Sequence, residues 1–305
     1  MKWIVLIILI SIFKLQLMGQ MFPLSDQHLN NPLAINPAFA GCQDALSVGL
    51  LYRNQWTGFE DSPKNQVFTA HAPIRNDKIG LGFFIGESSF GITRETRIMA
   101  NYAYRMELNN GKLALGLGFG ATINGMAWND LNATDVDDQR LLNNPKSSVM
   151  PDFSIGMYYY TKKYFVGVSV PMLLSRERDQ NTDKYRIVNR FSNYNYFLTG
   201  GNYFTLNPQI KLLSSFLLKY NQNHSPQLDI NAQMIIKERI WFGAGYRTSN
   251  TLIGMLQCQL NDQIKLAYSY DFDVSNTGRY KGNSHEVGLN YVFSYSRKVI
   301  GPRQF

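Results

Sequence analysis

Strict alternation of side-chain character is the feature that most limits how this chain can fold. Leu113, Leu115, Leu117, Phe119, Ala121 and Ile123 are interleaved with Ala114, Gly116, Gly118, Gly120, Thr122 and Asn124. Ile264, Leu266, Tyr268, Tyr270 and Phe272 are interleaved with Lys265, Ala267, Ser269 and Asp271. Val287, Leu289, Tyr291, Phe293 and Tyr295 are interleaved with Glu286, Gly288, Asn290, Val292 and Ser294. Successive strand side chains point to opposite faces, so each segment has one apolar face and one small or polar face. Each runs for about ten residues, the length at which a tilted strand crosses a bilayer.

A soluble β-sandwich alternates too. Two features favour an all-β transmembrane barrel of antiparallel, up-and-down strands. The apolar faces end in Tyr or Trp, which suits an interfacial aromatic girdle. Glycine weakens a strand, yet it recurs on the opposite face, where a crowded interior needs small side chains.

Fourteen segments read as strands: 45–56, 65–73, 78–87, 94–106, 111–124, 151–160, 164–171, 195–204, 210–220, 226–236, 239–247, 251–260, 264–272 and 285–295. An even count suits a bacterial single-chain barrel. With a periplasmic N-terminus, the connections after odd-numbered strands face outward, and these include the long ones 125–150, 172–194 and 273–284. The others are short, which is the expected asymmetry of outer loops and periplasmic turns. The eighth segment, with Gly200 and Gly201, and the ninth, with Leu213 and Leu217 on the presumed inner face, fit the pattern least well.

Lys2 followed by an apolar run from Trp3 to Phe13 reads as a secretory signal peptide, 1–19, too short to span a bilayer. Residues 20–44 hold Pro23, Pro32 and Pro37, which forbid a regular helix or central strand. That segment is either a periplasmic arm or a plug. Residues 45–295 form the barrel and 296–305 a C-terminal tail, and the expected location is the outer membrane.

Composition removes other classes. Charged residues are 17% and hydrophobic residues 45%, low in charge for a soluble protein and too apolar for disorder. Two cysteines and four histidines leave little for a disulfide framework or a transition-metal cluster. A net charge of +8 suits anionic lipid heads as well as nucleic acid and does not choose between them. No phosphate-binding loop or nucleic-acid motif is present, so neither a cofactor nor a nucleic-acid partner is expected.

Candidate chemistry is sparse. The acidic run Asn129–Asp138 suggests Ca²⁺ binding, but it lacks EF-hand spacing and reads better as a solvated loop. Ser284 and His285 invite a hydrolase reading. As neighbours in a strand they point to opposite faces, and no G-x-S-x-G elbow accompanies them. His28, His71 and His224 are scattered. Cys258 shares a lipid-facing set with Leu252, Leu256 and Leu260, so it is not expected to reach Cys42. Arg53, Arg97, Arg105, Asp229, Arg247, Lys265, Asp271 and Glu286 fall on inner faces by parity. They either line a channel or fill the barrel as an ionic network, the second being favoured. An open porin or substrate channel is the alternative function.

Several motifs, in order, carry a resemblance. Asn31-Pro32-Leu33-Ala34-Ile35-Asn36-Pro37-Ala38-Phe39-Ala40-Gly41 resembles the N-terminal signature of the PorP/SprF family, with Phe39 where Tyr is common. Arg53-Asn54-Gln55-Trp56 resembles its R-x-Q-W motif, followed by Ser62-Pro63-Lys64 and His71-Ala72-Pro73. Tyr268-Ser269-Tyr270-Asp271 and Ser284-His285-Glu286-Val287-Gly288-Leu289 resemble its C-terminal patterns, to which Asp271, His285 and Glu286 belong as structural motif residues. The resemblance implies a non-enzymatic outer-membrane barrel of the Bacteroidetes type IX secretion system, serving gliding motility in gliding bacteria. It implies as partners the periplasmic secretion and motility machinery and a secreted surface protein with a type IX C-terminal domain.

The expected contact residues fall in two groups. Asn31, Pro32, Asn36, Pro37, Arg53 and Trp56 belong to the N-terminal motifs, where fixed proline dihedrals lower the ordering cost of binding. Arg176, Arg178, Lys184 and Arg186 belong to an outer loop whose charge suits an acidic partner or lipopolysaccharide phosphates.

Overall fold

A computed structural model describes residues 25–74, 77–126, 147–178, 185–275 and 282–293, with 175–178 and 185–188 as backbone only. The signal segment 1–19, the acidic run 129–138, Lys184 and the tail 296–305 lie outside the described residues.

Among the described residues there are sixteen strands. They are β1 (Ser47–Asn54), β2 (Lys64–Ile74), β3 (Ile79–Phe90), β4 (Thr93–Leu108), β5 (Gly111–Met126), β6 (Ser148–Tyr160), β7 (Tyr164–Val170), β8 (Ser175–Arg178), β9 (Tyr185–Val188), β10 (Tyr196–Asn207), β11 (Ile210–Tyr220), β12 (Gln227–Ile236), β13 (Ile240–Arg247), β14 (Thr251–Gln259), β15 (Ile264–Asp273) and β16 (Ser284–Val292). Fourteen close into an antiparallel barrel in chain order, with β1 meeting β16 from Ser47↔Val292 to Asn54↔His285. Each of the fourteen expected segments overlaps one of these strands. Closure leaves no sheet edge between first and last strand, which a lipid-immersed wall requires.

β8 and β9 form a separate two-stranded hairpin, with Ser175 opposite Val188 and Arg178 opposite Tyr185. The sequence reading treated this stretch as loop, because four-residue strands are too short for alternation to show.

Side-chain parity sorts the wall as expected. Leu117, Phe119 and Leu256 point outward and are exposed, whereas Asn101, Thr122 and Asp152 point inward and are buried. Leu213 and Leu217 are buried on the inner face. Leu217 packs with Ile35 and Phe197, and Leu213 belongs to a cluster with Leu33, Phe39 and Trp241. An apolar inner face is therefore explained by an apolar object inside the barrel.

β6 extends outward beyond its pairing with β7, which covers only Ile155–Tyr160. Pro151 sits on this extension. The Phe153 carbonyl accepts from Leu173 N at 2.8 Å on the β7 side, so the Pro151 nitrogen faces the same open side and no ladder bond is lost.

Candidate functional site: the filled lumen and its mouths

Residues 25–44 lie inside the barrel. Two 3₁₀ turns, Pro32–Ala34 and Pro37–Phe39, carry their prolines in the first turn, where the missing N–H costs nothing. The Asn36 side chain caps the second turn by accepting from Ala38 N at 2.9 Å. This short, compact path lets the segment pack sideways against the wall.

Inner-face glycines receive it. A Cβ on Gly116 would lie 2.1 Å from Ala38 N, one on Gly156 2.0 Å from Asn36 Oδ1, and one on Gly80 1.9 Å from Ala40 O. Part of the small inner face seen in the sequence, Gly116 among it, is thus a contact surface for this plug, whereas Gly118 and Gly120 face Ser154 and the Ile98 carbonyl of the wall. Leu33, Ala38, Phe39, Ala40 and Cys42 share one apolar cluster with Ala103, Ala114, Tyr158, Tyr160 and Phe165. Phe39 meets His71 and Tyr158 edge-on, at centroid distances of 5.5 and 5.6 Å.

An ionic knot holds the start of the plug. Ser25 Oγ and Gln27 N both donate to Glu286 Oε1 at 2.9 Å, and Asp26 N donates to Glu286 Oε2 at 3.1 Å. The Asp26 carboxylate accepts from Arg53, from Arg247 Nη2 at 2.8 Å and from Ser269 Oγ at 3.1 Å. Arg53 also pairs with Asp271 and Glu286, and Arg247 with Asp229 and Asp271. The Arg53 and Arg247 guanidiniums thus meet the buried Asp26 carboxylate from two sides.

The end of the plug is hooked differently. Arg105 donates to the Gly41 carbonyl, and Gly41 N donates to His71 Nδ1 at 3.3 Å. Gly41 has φ +69° and packs on Gly80, so no side chain fits there. Between the two ends, Asn30 Oδ1 accepts from Lys265 Nζ at 2.9 Å, Asn31 Oδ1 from Thr69 Oγ1 at 2.9 Å, and the Ile35 carbonyl from Ser169 Oγ at 2.6 Å.

The expected contact residues are thereby separated. Asn31, Asn36, Pro37 and Arg53 are buried in the lumen, and Pro32 is half-buried beside them. Trp56 is half-buried in the turn after β1, with φ 57°. Arg176 and Arg178 lie on β8 and Arg186 on β9, in the two-stranded sheet that is separate from the barrel. Ser284 is buried, whereas the neighbouring His285 faces outward and its Nδ1 meets the Tyr268 hydroxyl at 2.8 Å, so the two do not form a catalytic pair. Cys42 and Cys258 are free thiols, Cys42 being buried. Among the described residues, no group of three His, Cys, Asp or Glu is arranged to hold a metal ion.

Sequence reasoning missed Asp26 and Gln27. Nothing local marks them, since apart from Arg53 on β1 their wall partners lie more than 200 residues away in β13, β15 and β16. An available hint was the set of inward carboxylates and arginines at the same ends of β1, β13, β15 and β16.

The pattern that defines the PorP/SprF family, described as type IX secretion system membrane proteins, matches residues 18–291. The chain belongs to the PorP/SprF family. It is an outer-membrane β-barrel of a secretion-component family. No curated protein matches the sequence significantly. Solved barrels align over most of its length. Omp33, an outer membrane protein of Acinetobacter baumannii, is 6% identical with a TM-score of 0.47, covering 83% of this chain and all of that one. A Pseudomonas aeruginosa FadL homologue is 12% identical with a TM-score of 0.46, covering 90% and 96%. Similarity at that level does not extend to role.

The PorP/SprF motifs divide by parity. Arg53, Ser269, Asp271, Ser284 and Glu286 point inward, and all but Ser284 hold the plug or its ionic knot. Tyr268, Tyr270 and His285 cluster on the outer face, with Tyr270 and His285 edge-on at 5.1 Å. Leu33 to Gly41 is the middle of the plug. One motif set therefore builds both the wall and what it encloses.

Proposed function

We propose that this PorP/SprF protein is a non-catalytic, plugged barrel that supports export or surface retention of one secreted protein with a type IX C-terminal domain, and links it to periplasmic secretion and motility components. The observation carrying this reading is the filled lumen, in which Ser25–Asp44 is bonded to the wall from the Glu286 carboxylate to the Arg105 guanidinium. A filled interior does not suit diffusion, and it leaves the outer connections and periplasmic turns as working surfaces. The outer hairpin β8–β9, with Arg176, Arg178 and Arg186, suits an acidic partner face.

Deleting residues 175–190 tests this. The barrel should still assemble and show heat-modifiable migration, while the partner protein is lost from the surface. Undiminished surface retention counts against the proposal. A steady conductance from the intact purified protein in planar bilayers would support a porin instead.

A further inference from the structure

The plug has a direction through the barrel. At its start, Ser25 and Asp26 contact Glu286 and Arg53, residues close to the β16 and β1 ends that open onto connections 274–283 and 55–63. Gln27 lies lower, since a Cβ on Gly288 would meet its Oε1 at 2.7 Å, so the path from Gln27 to Ser25 climbs towards that mouth. At its end, Gly41 touches Gly80, Ala72 and Pro73, beside the opposite mouth where β2 leads into β3. There Arg105, near the end of β4, holds the Gly41 carbonyl, and the chain turns into β1 at Ser47.

The two mouths differ in their connections. The first carries 127–147 and 171–195, and the second only short turns such as 109–110, 161–163 and 208–209. Long connections face the cell surface and short turns face the periplasm. Ser25 is half-buried and Asp44 is exposed, so each end of the plug reaches solvent.

We infer that the plug is a transmembrane connector, with Ser25 facing the cell surface and Asp44 facing the periplasm. The segment is not an arm that enters and leaves by one mouth, because such an arm would place Ser25 near Lys78 and Arg105 rather than near Glu286. The two ends are therefore separate surfaces, one on each side of the membrane, and this direction does not depend on the proposed function.

Single-cysteine labelling with a membrane-impermeant maleimide tests the inference, with the native chain as blank. Ser25→Cys should label in intact cells at about ten times the blank or more, a signal large enough for a freely reached thiol. Asp44→Cys should label only after the outer membrane is permeabilised. Phe191→Cys, at an outer position that is 79% exposed, and Lys237→Cys, in a periplasmic turn, fix the orientation of the barrel independently. Labelling of Ser25→Cys only after permeabilisation, or in neither state, overturns the inference, as does labelling of Asp44→Cys in intact cells. Limited proteolysis of intact cells expressing the protein with a protease site inserted ahead of Ser25 gives a second reading if the cysteine variant assembles poorly. None of these readouts depends on a secreted partner, so failure here is distinct from failure of the proposed function.

Discussion

Arg247 on β13 donates Nη2 to Asp26 Oδ1 at 2.8 Å, joining the plug to the wall across 221 residues of sequence. Neither side chain is more than 1% exposed. Charges taken out of water are tolerated only when their hydrogen-bonding capacity is met, and removing one partner strands the others. Asp26→Ala should therefore cost about 3–5 kcal/mol, the usual penalty for breaking a buried pair. Thermal unfolding of the detergent-solubilised barrel measures this. A change no larger than that of a surface ion pair would contradict the role assigned to Asp26.

Gly116 gives a steric test. With Ala38 N only 2.1 Å from a Cβ there, Gly116→Val has to displace the plug. Overpacking of this kind costs about 1–3 kcal/mol. The variant should also gain conductance in planar bilayers. Gly254→Ala is the control, since its Cβ meets nothing within 4 Å and points outward. Equal behaviour of the two variants would mean the glycines are not contact surfaces for the plug.

The outer hairpin predicts an electrostatic effect. Replacing Arg176, Arg178 and Arg186 together by Glu should lower recovery of the surface partner by about tenfold at low salt, and by less at high salt, because exposed charges are screened. A salt-independent loss would point to a packing role for β8–β9 instead.

The wall was legible because a lipid-immersed strand must alternate and must run for a membrane's thickness. That constraint exposed segments as different as 111–124 and 264–272. Parity also placed Arg53, Asp271 and Glu286 inside. The plug was less legible because its residues obey no period: Pro32 and Pro37 announce irregular backbone but not where it sits. Leu213 with Leu217 looked anomalous only because the plug was not visible, and Leu217 packs on its Ile35. Gly200 and Gly201 instead make room for Phe216 and Phe165 of the neighbouring strands. Asp26 gave no signal at all, since a lone carboxylate acquires meaning only when β1, β13 and β15 converge on it.

The most direct test of the account is a mild-detergent pull-down of the tagged protein from its native outer membrane, with mass spectrometry of what accompanies it. A large secreted protein with a type IX C-terminal domain should come down in near-stoichiometric amount, together with periplasmic secretion components. Recovery of the barrel alone, with an open conductance in planar bilayers, would contradict it.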